Sequence, residues 1–299
     1  MTHRSDTENA IAKAHNSRYR ASMTLFERGQ RVVPGGIYGH VTPALLEPGD
    51  SPYYAAHAQG ARYWDVDGNE FLDFMCGYGP VILGHCHPEV EAAVDEARSR
   101  GTCFNHPTEH MVELAETLTE LIDFAQWSVF GKNGSDMTTW CTQVAREHTG
   151  RQKILMAEAA YHGSAPWCTP GHAGLTDEDR AHIVTFKWND PQSVEDAFKA
   201  CADDVAALVM TPFHHPLFVG STMPEPAFLD SIHRACQRAE CLLILDDIRA
   251  GFRLSLEGSH RVVGLEPDLA CYSKAMGNGY PISAAVGRSD LKVAASKLG

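Results

Sequence analysis

Apolar positions recur at helical spacing twice before residue 125, and beyond it short β-like runs alternate with helices. Val90, Ala93, Val94 and Ala97 stand at i, i+3, i+4 and i+7, which puts them on one helical face. That helix is predicted to begin at Pro88: proline suits the first helical position, and Glu89 and Glu91 suit the positive end of the helix dipole. A second helix fits 108–122, with Leu114, Leu118 and Leu121 on one stripe. Trp127–Phe130 predicts a short strand. A Gly134-Ser135 turn follows, then a helix to Thr149 that stops at Gly150, then a strand over Lys153–Glu158. Val205–Thr211 and Cys241–Leu245 are unbroken apolar runs, the pattern of strands buried on both faces of a parallel sheet. Between them Leu229, Ile232, His233 and Cys236 keep helical period, and Leu269–Tyr272 adds one more strand.

Upstream the text is different. Residues 13–34 carry mixed charges and end in the helix-breaking run Val33-Pro34-Gly35-Gly36. Gly60 to Asp73 reads as strand, Asp67-Gly68 turn, strand, which is a hairpin. There is no internal repeat and no low-complexity linker. The expected architecture is α/β, with an N-terminal segment over 1–75 and a large domain over 76–299.

Composition narrows the class. With 299 residues, 44% hydrophobic and 21% charged, the chain has ample apolar surface for a core. Thirty-eight acids against 25 bases give −13, the wrong sign for a protein that coats a nucleic-acid duplex. No apolar run approaches the roughly 18–20 residues that span a bilayer, and the first 22 residues contain no apolar signal core. Nine cysteines, an odd number in no small-scaffold framework, read as reduced thiols. A soluble cytoplasmic protein with a small-molecule partner is the expectation, with no nucleic-acid and no membrane partner.

Open α/β sheets bind ligands outside the carboxyl ends of their strands, and several predicted strand ends carry unusual groups. The run Leu242–Leu245 leads into Asp246, Asp247 and Ile248; strand alternation points Asp246 and Ile248 one way and Asp247 the other. The next strand ends in Ser273-Lys274, followed by a glycine-rich loop to Pro281. A lysine tethered so closely to a buried strand can lose its proton and act as a nucleophile. Alone, Asp246 and Lys274 are equally the mark of an ordinary buried ion pair. Lys132–Asp136, between a strand and a helix, offers backbone amides to an anion, though such a turn by itself is more often plain capping. Tyr161 and His162 follow another strand and bring an aromatic ring. Taken jointly, an anion cradle, an aromatic platform, a carboxylate with an apolar neighbour and an amine are what pyridoxal phosphate (PLP) requires.

These segments resemble the class III (ω-type) aminotransferases of PLP fold type I, and glutamate-1-semialdehyde aminomutase and its relatives in particular. The resemblance runs from about Thr24 to Gly299 through Leu25–Arg28, Val33–Gly36, Trp64–Asp73, Gly79–Pro88, Asn133–Asp136, Tyr161–Gly163, Leu245–Ile248 with Gly251–Arg253, and Ser273–Pro281. It implies a mostly parallel sheet in the large domain, with residues 1–75 contributing to a small domain. Lys274 looks like the lysine that forms an imine with the cofactor and moves the proton during catalysis. Asp246 looks like the partner of the pyridine nitrogen, Ile248 and Tyr161 like the residues on the two ring faces, with His162 beside Tyr161, and Gly134 and Ser135 like the phosphate-binding pair. The implied function is amine transfer to a keto or aldehyde compound, or aminomutase chemistry, from a small amine or amino acid. An epimerase or decarboxylase on the same scaffold, or a non-catalytic truncated subunit, are the alternatives.

Three departures qualify the resemblance. Thr42 stands where the aminomutase has an arginine for the substrate carboxylate, which argues against glutamate 1-semialdehyde as substrate. Thr211–His215 replaces the usual Glu-Pro-Val segment, leaving His214 or His215 for the cofactor's phenolic oxygen. Family members continue past the position of Gly299 through a threonine-containing loop and most of the small domain. The resemblance thus implies a homodimeric core, and either a separate C-terminal polypeptide or a chain that is one piece of the enzyme. Poor solubility of the isolated chain is expected on the same ground. Weaker signals have plainer readings. His85-Cys86-His87 matches no standard metal spacing, His106 and His110 read as surface residues at a helix start, Cys141 and Cys236 as core, Glu225-Pro226 as a turn into a helix, and Asp203-Asp204 as a solvated loop.

Overall fold

The computed structural model describes residues 18–37, 46–216 and 220–298. They fall into two compact units, one comprising the described residues up to Tyr78 with Leu83–Thr102, the other Gly79–Ile82 with those from Cys103 onward.

In the first unit, helix α1 (Arg20–Gly29) accompanies an antiparallel sheet in the order β1 (Ala55–Gln59), β2 (Arg62–Asp65), β3 (Glu70–Leu72). The β2–β3 pair is the hairpin expected at Asp67-Gly68. Buried Asp65 shapes its turn by accepting the amide hydrogens of Asp67 and Asn69 at 3.0 and 2.7 Å. The Asp67 carboxylate then accepts from the Ala21 and Ser22 amides at the start of α1, a favourable site for negative charge at a helix N-terminus. Met23, Phe26 and Tyr53 form its small core. Helix α2 (Pro88–Arg100) begins at the expected proline, yet none of its residues is buried; Val90, Val94 and Ala97 are half-covered and Ala93 is exposed.

The second unit is built on a seven-stranded sheet: β4 (Trp127–Gly131), β5 (Lys153–Ala157), β6 (Ile183–Phe186), β7 (Val205–Met210), β8 (Leu242–Asp246), β9 (Leu269–Tyr272) and β10 (Ser283–Gly287). Their spatial order is β4-β10-β9-β8-β7-β5-β6. The pairs among β6, β5, β7, β8 and β9 are parallel, whereas β10 is antiparallel to both β9 and β4. Strand β4 therefore runs with the parallel set, and its carboxyl end lies on the same edge as theirs. Helices α3 (Glu109–Leu121), α4 (Gly134–Thr149), α5 (Pro191–Ala200) and α6 (Pro226–Ala239) and the shorter α7 (His260–Val263) and α8 (Lys292–Ser296) complete the unit.

Burial on both faces explains the apolar runs. In β8, Leu243 and Leu245 join one cluster with Leu208, Phe228 and Ile232, while Leu242 and Ile244 join another with Cys141, Val144 and Ala145 of α4. All six residues of β7 are buried. This is the α/β architecture read from the sequence. Cys141 and Cys236 are core, and Glu225 and Pro226 start α6. Asp204 is more than a loop residue: its carboxylate accepts the Gln152 amide at 2.9 Å ahead of β5. Helix α3 starts at Glu109, so His106 lies outside it. Among the described residues no helix is long and apolar enough to cross a membrane.

Candidate active site

The loops leaving β4, β5, β7, β8 and β9 surround a cavity of about 340 Å3, within the range of small-molecule sites. Its wall includes Gly134, Ser135, Tyr161, His162, Asp246, Ile248 and Lys274. These seven residues, matched to the cofactor-binding pattern by the resemblance, thus line one space at the carboxyl edge of the sheet.

Helix α4 starts at this edge. Asn133 caps it, its side chain accepting from the Asp136 amide at 3.1 Å. The amides of Gly134 and Ser135, in the first helical turn, have no intrahelical acceptor. The turn is tightly built. Ser135 Oγ accepts the Ser164 amide at 2.9 Å. Gly163 has φ +130°, and a Cβ there would lie 2.4 Å from Ser135 Oγ; a Cβ on Gly134 would lie 2.5 Å from Ile248 Cδ1. Gly163 requires glycine for its backbone and its space, whereas a Cβ on Gly134 would displace the end of the Ile248 side chain.

Asp246 is buried at the end of β8. Its carboxylate is bonded to His162 Nδ1 at 2.8 Å and accepts the Ile248 amide at 3.2 Å. The simple ion-pair reading of Asp246 with Lys274 is not what forms: among the described residues the ion-pair partner of Asp246 is His162. His162 is held in turn by Thr138, whose hydroxyl donates to its carbonyl at 2.7 Å, and by stacking on Trp167. Lys274 follows β9 with φ +45°, a backbone that non-glycine residues seldom adopt and that marks sites held by their surroundings. Burial pulls its amine below the usual lysine range; Asp246 opposes this, and Arg249 and Arg253 reinforce it. Tyr161 remains 45% exposed over the cavity.

Other wall residues carry chemistry as well. Thr211 and His215 follow β7, and Arg249, which the sequence reading passes over, follows Ile248. Among the described residues buried His215 Nε2 has no partner, and burial together with Arg249 pushes its imidazole down to about 4, so it is neutral at ordinary pH. His214 instead stacks on Trp188 with ring centres 5.1 Å apart. A signal for Arg249 is present in the sequence: a cation directly after a strand-end acid pair, at the edge where ligands bind. Thr42 lies outside the described residues. His85 is engaged by Asp73, Nε2 to Oδ2 at 2.7 Å.

Among known proteins, the model of the family Aminotransferase class-III matches residues 47–299. The chain belongs to the class-III aminotransferase family. Over 274 residues it is 45% identical to the aminopentol aminotransferase of Sphingopyxis macrogoltabida, covering 92% of this chain and 65% of that protein. It is 33% identical to the glutamate-1-semialdehyde 2,1-aminomutase of Desulforamulus reducens, covering 94% of this chain and 67% of that one. The solved structure of the FumI protein of Sphingopyxis sp. MTA144, in its PLP internal aldimine form, superposes with a TM-score of 0.89 at 44% identity, over 92% of this chain and 66% of that one. The chain thus spans about two thirds of the length of these relatives, and more of its sequence is shared with the aminotransferase than with the aminomutase.

Behind the site, Asp247 points away from the cavity, as strand alternation requires. It is fully buried; its Oδ2 accepts the Ser259 amide at 2.8 Å, and its Oδ1 has no partner among the described residues. Burial lifts its carboxyl to about 7. The folded chain therefore holds this proton where the unfolded chain has released it. The stabilisation is complete below about pH 4 and is lost as pH rises towards 7. Asp247→Asn removes that dependence. Between pH 4 and 8, urea unfolding should show the variant gaining on the wild type by a few kcal/mol, because each tenfold change in proton affinity is worth about 1.4 kcal/mol.

Proposed function

We propose that the protein is a PLP-dependent aminotransferase that moves an amino group from a small amine or amino acid to a keto or aldehyde compound. The observation that carries this reading is the meeting of Lys274, Asp246 and the open first turn of α4 in a single cavity. The donor set fits the cofactor. Amides at a helix N-terminus suit a phosphate, Ile248 and Tyr161 suit the two faces of a ring, and buried Asp246 suits a protonated pyridine nitrogen.

When bound, PLP supplies an aldehyde and an electron-withdrawing ring that acidifies the substrate's Cα–H. The chain's own residues do the rest. The amides of Gly134 and Ser135 would hold its phosphate. His162 fixes the Asp246 carboxylate through Nδ1, and Asp246 would keep a proton on the ring nitrogen. Lys274 Nζ, made less basic by burial, would be the amine offered to the aldehyde and the base for the proton at Cα. Family membership favours amine transfer over epimerase or decarboxylase chemistry.

The test is a screen of amine donors against keto and aldehyde acceptors with the PLP-loaded protein, scored by the ketone or aldehyde formed from the donor. Stoichiometric ketone and new amine support the reading; carbon dioxide release or loss of stereochemistry without amine transfer would replace it. A homodimeric core, implied by the resemblance, is read out by the mass of the native particle. Gly163→Ala is expected to weaken PLP binding about 10-fold or more, since it adds backbone strain of order 1–3 kcal/mol and crowds Ser135. Equilibrium dialysis against PLP checks it.

A further inference from the structure

We propose that Arg249, with His215 beside it, recognises a carboxylate on the substrate, a role that deepens the aminotransferase reading of the same cavity and rests on it. The charges on the cavity wall do not balance. Asp246 is a carboxylate committed to His162; against it stand the cations Lys132, Lys274 and Arg249. Lys132 lies beside the open first turn of α4, where a phosphate would sit, and Lys274 is the reacting amine. Arg249 is left over: among the described residues no ion pair or hydrogen bond engages its guanidinium, whereas the nearby Arg253 is tied to the Gly79 carbonyl at 2.6 Å.

Its location suits a reacting molecule. The charge of Arg249 is felt by both Lys274 and His215, so it stands near the amine. His215 offers a second contact there: a buried Nε2 with no partner among the described residues, on a neutral ring that can donate one hydrogen bond. A guanidinium donates two parallel hydrogen bonds to a carboxylate. Because Arg249 is exposed, its charge stays solvated until a substrate arrives, so the unpaired state costs little.

The experiment uses the PLP-loaded protein and its Arg249→Gln and Arg249→Lys variants. Amine transfer is measured with the best 2-oxo acid acceptor and with the matching 2-oxo amide, and propionate binding is measured by calorimetry in the absence of turnover. Charge-assisted hydrogen bonds are worth about 1.5–3 kcal/mol, so the kcat/KM preference for acid over amide should fall about 10-fold or more in Arg249→Gln. Propionate binding should weaken to a similar degree, with partial recovery in Arg249→Lys. Equal losses on acid and amide, no preference for the acid in the wild type, or unchanged propionate binding with an altered cofactor spectrum would each overturn the proposal. Propionate binding that depends on Arg249 in a protein without amine transfer would sink the aminotransferase reading and leave this one standing.

Discussion

Lys274→Ala should lower amine transfer by a factor on the order of 10^4 or more, because it removes a nucleophile and a proton-transfer base together. The folded state should survive the change. Lys274 sits in a left-handed backbone and is only half-buried, so truncation leaves no buried charge behind, and the far-ultraviolet spectrum and melting profile should stay close to those of the wild type. Steady-state rates with the best donor–acceptor pair check the first point and thermal unfolding the second. A small added primary amine should restore part of the proton-transfer activity. A variant that keeps more than about a tenth of wild-type turnover, against the loss general-base catalysis predicts, would remove Lys274 from the chemistry.

Asp246→Asn should cut kcat by about 10^2–10^3, the scale on which a preorganised electrostatic partner contributes, while PLP affinity changes far less. The asparagine keeps one carbonyl oxygen to accept from His162 Nδ1 at 2.8 Å and loses only the longer 3.2 Å bond from the Ile248 amide, so the ring stacked on Trp167 stays in place. What is lost is the charge that keeps a proton on the facing ring nitrogen. A merely structural role for Asp246 predicts a different outcome, with stability and cofactor affinity falling together and kcat per bound cofactor unchanged. Comparing kcat with the PLP dissociation constant separates the two.

Much of this site is legible because its residues sit where sheet geometry forces them. The runs Val205–Thr211 and Leu242–Leu245 announce strands buried on both faces, and side-chain alternation then sends Asp246 to the cavity and Asp247 behind it. Helix α4 is readable from Asn133 to Gly150 because cap and stop are both local signals. The partner of Asp246 is not readable. His162 lies 84 residues away, and only the adjacency of the loops after β5 and β8 at one sheet edge brings the two together.

Other misses have local causes. Strand β10 is Ser283–Gly287, with small residues that carry little hydrophobic signal; their size is dictated by close packing, since a Cβ on Gly287 would lie 2.4 Å from Trp127 Cζ2. Helix α5 does carry a signal, Asp190 capping Ser193 with Pro191 at the first position, inside a segment that reads only as part of a general alternation. The apolar stripe on α2 is present as a pattern, but its side chains are half-covered or exposed rather than core. Periodicity shows which face is apolar and not what lies against it.

Borohydride reduction of the protein incubated with PLP, followed by peptide mass mapping, probes the nucleophile itself. The expected result is one reduced pyridoxyl phosphate group per chain, on the peptide carrying Lys274, with loss of the cofactor's visible absorbance and no labelling in Lys274→Ala. Labelling spread over surface lysines, or equal labelling of the wild type and Lys274→Ala, would contradict it.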